Sequence, residues 1–179
     1  MHFLNYHYNN IIKYDFLNKF YEKRKLNVPK IKKVCLSFSN DKTKLKELFS
    51  TLFALELITV QKGIISKSKT PQISIKMKKG GYVCCKITLR EKKMYLFLEK
   101  LFYKIFPKIK LFSGFGFKLN KVAKTLDFVL PKLFYFSELE SHYKFFQKLP
   151  PIQVSIIARS ENSLQTFFLL ASYRFPVQL

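Results

Sequence analysis

Tryptophan is absent, glycine occurs five times in 179 residues, and Asp and Glu number 11 against 33 Lys and Arg. So few carboxylates leave little from which to build an acid–base pair. The net charge of +22 excludes a neutral cytosolic enzyme as the default. A domain this basic repels itself and calls for a polyanion: nucleic acid first, an anionic membrane surface second. Cys35, Cys84 and Cys85 are the three cysteines. An odd count with one adjacent pair and no C-x-x-C supports neither a disulfide framework nor a zinc site. Small core filler in a reducing interior is the expectation for them. No uncharged stretch approaches the roughly 18 apolar residues of a membrane-spanning helix, and segment 163–173 is too short. Met1 to Asn10 resembles neither a secretory signal nor an Arg-rich transit peptide.

Catalytic motifs are missing too. His2, His7 and His142 form no H-E-x-x-H, no G-x-x-x-x-G-K-[ST] loop exists, and no G-x-S-x-G is present. Glu138 and Glu140 stand two apart, a spacing that does not share a helix face. Ser113-Gly114-Phe115-Gly116 reads as a structural turn. No enzyme, metal or cofactor is expected.

What is there is apolar and aromatic: 48% of residues are hydrophobic, with 20 Phe and 10 Tyr. That excludes simple disorder. Of the 33 basic residues all but Arg24, Arg90, Arg159 and Arg174 are Lys. Lys, Phe, Ile, Asn and Tyr can be written with A/T-only codons, so the composition points to an AT-rich genome such as an organelle's. The length suggests a single domain over 1–179, with 28–110 as its N-terminal core and 111–179 as the C-terminal part. A chain of this size can bury roughly 70% of its unfolded surface.

Residues 3–24 read as a helix, with Leu4, Tyr8, Ile11 and Ile12 at helical spacing. Val28-Pro29 breaks it. Val34, Leu36 and Phe38 then alternate with Lys33, Cys35 and Ser37, as on a half-buried strand. Asn40-Asp41 offers an N-cap to an amphipathic helix over 42–57, carrying Leu45, Leu48, Phe49 and Leu52. Residues 59–69 are β-rich, with Gly63 as a bulge or turn. Residues 82–90 put Val83, Cys85, Ile87 and Leu89 on one side and Tyr82, Cys84, Lys86, Thr88 and Arg90 on the other. A helix from Glu91 to Phe106 ends or bends at Pro107. Residues 124–130 read as a strand, 133–147 as short elements and 152–159 as a strand. A last helix opens at Ser160-Glu161. Helices and strands mix without strict βαβ order. The expected fold is α+β: an antiparallel or mixed sheet with helices packed on one face and an open, basic RNA-binding face.

That open face is the strongest candidate site. Lys33, Ser37, Lys86, Thr88, Arg90 and Gln153 would share it, with Gln61 and Lys67 nearby. Such a surface suits phosphate and 2′-hydroxyl contacts, with aromatic neighbours for base stacking. A second candidate is the run Lys67, Lys69, Lys76, Lys78 and Lys79 around Gly80-Gly81, a basic loop able to follow a backbone.

Six stretches in order resemble the ribosomal protein L-five family, the universal large-subunit proteins that bind 5S rRNA. They are Val28-Pro29-Lys30-Ile31-Lys32-Lys33, Gln61-Lys62, Ile65 to Lys69, Lys76 to Gly80, Cys85-Lys86-Ile87-Thr88-Leu89-Arg90, and Phe106 to Gly114. The closing Ala171-Ser172-Tyr173-Arg174-Phe175-Pro176 is similar to the family's C-terminal stretch. The resemblance covers about residues 5 to 177. It implies a place in the central protuberance of the large subunit and no catalysis. It implies 5S rRNA recognition by Ser37, Gln61, Thr88 and Arg90, with Lys33 and Lys86 beside them. Ser37 stands where the family has Asn. The family loop that approaches P-site tRNA matches 70–81, with Lys76 and Lys78 at its basic positions and Gly80 at its glycine; Lys79 adds a further cation to this loop. Lys78 replaces an Arg, so a fork becomes a point charge. Residues 117–136 depart from the family pattern and lose its glycines.

The implied partners are 5S rRNA, large-subunit rRNA, P-site tRNA and neighbouring central-protuberance proteins, with a small-subunit head protein across an intersubunit bridge. The expected location is the ribosome of the mitochondrial matrix, ahead of plastid or bacterial cytoplasm. A membrane-surface protein and an RNA-modifying enzyme are the rival readings.

Overall fold

A computed structural model describes residues 3–20, 28–39, 45–71, 78–109, 114–116, 124–147 and 149–178. The helical N-terminus comprises α1 (Phe3–His7), a π-helical turn (Tyr8–Ile12) and α2 (Lys13–Phe20). Then come β1 (Lys30–Ser39), α3 (Leu45–Thr59), β2 (Ile64–Lys67), β3 (Tyr82–Leu89) and α4 (Glu91–Lys100). The second half holds β4 (Phe115–Gly116), β5 (Thr125–Leu130), α5 (Ser137–Glu140), α6 (Tyr143–Phe146), β6 (Ile152–Arg159), α7 (Ser163–Ser172) and β7 (Val177–Gln178). One sheet has the order β2-β3-β1-β6-β5, and β4 pairs with β7 in a second. The expected α+β class is observed.

The chain clusters into two compact units. One comprises Met1–Val34, Arg90–Asp127 and Ser155–Leu179; the other comprises Cys35–Leu89 and Phe128–Val154. In the second unit, α3 lies against β3. Leu48, Thr51, Leu55 and Ile58 of α3 are buried, as are Cys85, Ile87 and Leu89 of β3. Thr51 joins the two layers: its Oγ1 is 2.7 Å from the Leu48 carbonyl and 3.5 Å from Cys85 Sγ. The expected stripe is therefore turned. Phe49, placed on the buried side by helical spacing, is 49% exposed, because the row that meets the sheet runs through Thr51 and Leu55.

The segment after α3 also differs from expectation. Its strand is short, and Gly63 is neither in it nor at its bulge; the irregularity falls between Ser66 and Lys67. Gly63 is there for space. A Cβ at this position would stand 2.5 Å from Leu52 Cδ1. Its N–H donates to Glu56 Oε1 at 2.8 Å, so the chain is drawn against α3. Val60 ends α3 in the left-handed region, with φ 53° and its N–H on the Glu56 carbonyl at 2.8 Å.

In the first unit aromatic side chains pack on one another at several points. The Tyr8 and Tyr173 rings stack at 6.4 Å, and the Tyr8 hydroxyl donates to the Pro29 carbonyl at 3.1 Å. Phe102 meets Phe175 edge-on at 4.6 Å. This explains the closing Ala171 to Pro176 stretch: Tyr173 and Phe175 are buried, and Arg174 turns the chain at φ 57°. The Glu91 helix runs as α over Glu91–Lys100, then as π over Leu101–Ile105, then as a 3-10 turn over Phe106–Lys108. Pro107 sits in that last turn, where its missing N–H costs little.

Three further expectations change. The last helix starts at Ser163 rather than Ser160. Gln165 Oε1 reaches back to the N–H groups of Glu161 at 3.0 Å and Asn162 at 3.5 Å and holds the entry. Phe115–Gly116, read as turn, pairs in parallel with Val177–Gln178. Of the cysteines only Cys85 is core filler; Cys35 and Cys84 are half-exposed. Asn40-Asp41 and residues 117–123 lie outside the described residues.

Candidate nucleic-acid interface

The open face is built by alternation. On β3 the odd positions Cys85, Ile87 and Leu89 are buried under helix, which leaves Lys86 exposed and Thr88 half-exposed on the other side. The same parity holds on β1, where Val34, Leu36 and Phe38 are buried while Lys33, Cys35 and Ser37 remain half-exposed. On β6 it leaves Gln153 exposed. A strand's period of two makes these rows without further help.

In the second unit Ser37, Gln61, Lys67, Lys86 and Thr88 have distinct situations. Gln61 lies after α3 and its Nε2 donates to the Thr88 carbonyl at 3.1 Å. That bond orients the amide. Thr88 Oγ1 lies 3.8 Å from Cys35 Sγ. Burial pushes the Cys85 thiol up, against the lowering effect of its bond from Thr51. Lys67 is exposed at the end of β2, with its Nζ 5.4 Å over the Tyr82 ring. The pair presents a cation and an aromatic face together.

Beyond β2 and β3 the hairpin continues as a tight neck. Ser68 N–H donates to the Gly81 carbonyl at 2.8 Å, and Gly80 N–H returns to the Ser68 carbonyl at 3.0 Å. Gly80 has φ +83° with open space around it, so its role is conformational rather than steric. Lys78 and Lys79 are exposed beside it, and Lys76 lies outside the described residues.

Lys33 and Arg90 belong to the first unit. Arg90 is exposed and precedes α4, with φ −136° and ψ 158°. It opens onto a cavity of about 550 Å³ whose other cations are Lys30, Lys32, Lys92 and Arg159. The sequence reading missed Lys30, Lys32 and Lys92 as site residues and gave Arg159 only a polar strand face. Nothing in a linear pattern joins the start of β1, the start of α4 and the end of β6.

Chemically these groups can hold phosphate and hydrogen-bond to sugar or base edges. Among the described residues no three His, Cys, Asp or Glu side chains cluster as a metal site would need. No described helix is long and apolar enough to cross a membrane.

Residues 82–177 match the family model for the C-terminus of the ribosomal L5 family. The large ribosomal subunit protein uL5m of Reclinomonas americana is 33% identical over 183 residues, covering 99% of this chain and 98% of that protein. Large ribosomal subunit protein uL5 of Blochmanniella floridana is 27% identical over 174 residues, covering 96% and 90%. Its counterpart in Wolbachia pipientis subsp. Culex pipiens is 31% identical over 173 residues, covering 94% of each. Together with the helix-backed sheet and its basic face, these matches define a structural ribosomal protein and not an enzyme. The chain belongs to the ribosomal L5 family, whose members are structural constituents of the large ribosomal subunit, and is of the family's organellar type.

Proposed function

We propose that this chain binds 5S rRNA in the central protuberance of a mitochondrial large ribosomal subunit. The observation that carries the reading is the polar row on β3, with Lys86 exposed, Thr88 half-exposed and Gln61 bonded to the Thr88 carbonyl. Ser37 and Lys67 extend the row in the same unit; Lys33 and Arg90, in the first unit, offer further cations to rRNA. The hydroxyls and the Gln61 amide meet 2′-hydroxyls and base edges, and the cations meet phosphates. The 70–81 loop, with Lys76, Lys78, Lys79 and Gly80, touches P-site tRNA. Neighbouring central-protuberance proteins and a small-subunit head protein complete the surroundings. The mitochondrial assignment is supported by the likeness to uL5m along nearly the whole chain.

Titration of the purified chain with 5S rRNA tests the reading. With about 6–10 phosphate contacts, affinity falls roughly 10³–10⁵-fold between about 50 and 200 mM salt. Arg90→Ala weakens binding without unfolding, since Arg90 is exposed. A flat salt response, or migration apart from the large subunit in a gradient of organelle extract, would reject it.

A further inference from the structure

Five cations line one cavity of about 550 Å³ in the first unit: Lys30, Lys32, Arg90, Lys92 and Arg159. One carboxylate, Glu91, shares the lining. The five come from three separate places in the chain, so only the fold assembles them. Two of the chain's four arginines are among them. In a chain whose composition runs so heavily to Lys, two Arg on one cavity supply the planar fork that grips phosphate through two bonds. Apart from Asn5, the remaining lining is of another kind. Ile31 and Met94 are buried, and Tyr95 is half-buried with its phenol pushed up by burial. The cavity therefore has a cationic rim and an apolar, aromatic floor.

A regular RNA helix presents phosphates but keeps its bases stacked. It would use the rim and leave the floor empty. A membrane surface or an acidic peptide would likewise find no use for Tyr95 and Met94. An unpaired nucleotide uses both: its phosphates on Arg and Lys, its base against the ring. The volume is within the roughly 300–1,000 Å³ of pockets that take small organic groups.

We propose that this cavity, which shares Arg90 with the interface above, is an RNA subsite that takes a single unpaired nucleotide turned out of its helix. Arg90 and Arg159 hold the flanking phosphates, Lys30, Lys32 and Lys92 add charge, and Tyr95 with Met94 receives the base. The inference rests on the RNA-binding reading above and adds to it a residue set and a ligand conformation.

The test uses the full chain and two RNA hairpins, one fully paired and one with a single bulged 2-aminopurine nucleotide. Wild type binds the bulged hairpin about tenfold more tightly, and the 2-aminopurine fluorescence falls as the base stacks. Arg159→Ala removes about tenfold from bulge binding and leaves the paired hairpin within about twofold. Arg159→Lys keeps the charge, loses the fork and falls between. Lys92→Ala, on another segment, repeats the loss and guards against a local folding defect at β6. Equal binding of both hairpins by wild type, or full preference retained in Arg159→Ala, overturns the proposal while leaving the broader RNA reading intact. Failure to bind either hairpin overturns both. Equal competition by an Asp- and Glu-rich peptide for the bulge site overturns it in favour of a protein partner.

Discussion

Gln61 Nε2 donates a 3.1 Å hydrogen bond to the backbone carbonyl of Thr88, tying the segment after α3 to the end of β3. Because the acceptor is main chain, the Thr88 side chain is free of this structural duty. Thr88→Val should keep the bond and leave stability within about 0.5 kcal/mol. Binding of 5S rRNA should weaken by roughly three- to tenfold for the lost hydroxyl. Gln61→Leu should instead cost about 1 kcal/mol in urea unfolding as well as affinity. Equal stability losses in the two variants would show that the Thr88 hydroxyl is structural.

Gly63 lies close against α3. Gly63→Ala brings a Cβ to 2.5 Å from the terminal Leu52 Cδ1, which can give way, so it should cost about 1 kcal/mol. Adding Leu52→Ala should recover part of that, so the double variant loses less than the sum of the singles. Strict additivity in urea melts would show that the clash is relieved elsewhere.

Val60 is β-branched, 78% exposed and held at φ 53°. A left-handed L-residue costs roughly 1–2 kcal/mol, and glycine returns about 0.5–1 of it as unfolded-chain entropy. Val60→Gly should raise stability by about 0.5–1 kcal/mol without touching RNA binding. A lower melting temperature would contradict the assigned backbone strain.

Alkaline pH should unfold the first unit. Burial, helped by Tyr95, pushes the Tyr8 phenol up from 10.0 to about 12, and burial pushes Tyr173 further in the same direction. The folded state thus holds these protons more tightly than the unfolded one. Their contribution is complete below about pH 10 and is lost as pH rises through the Tyr8 value of about 12. Melting temperature against pH, followed with tyrosinate absorbance, checks this. Tyr173→Phe should flatten the decline above about pH 10.

Much of the architecture is legible in the sequence because strand and helix periods are local. Alternation alone assigns Val34, Leu36 and Phe38, and Cys85, Ile87 and Leu89, inward, and they are buried. The open row Lys86 and Thr88 follows from the same parity. Periodicity cannot rank two adjacent apolar rows on α3, so it misplaces Phe49. Which row is covered depends on how the helix is turned over its sheet. Gly63 is misread for a similar reason: its cause is Leu52 Cδ1, eleven residues earlier and visible only in three dimensions.

The sequence by itself determined the charge, the inward and outward faces of β1, β3 and β6, and the family, because each depends on residue type and short-range order. The tertiary structure alone decided how those faces are used. It bound Gln61 to the Thr88 carbonyl, and it brought Lys30, Lys32, Arg90, Lys92 and Arg159 around one cavity. A cluster drawn from the start of β1, the start of α4 and the end of β6 has no linear signature. Its members become neighbours only when the chain has paid the entropy of closing the loops between them.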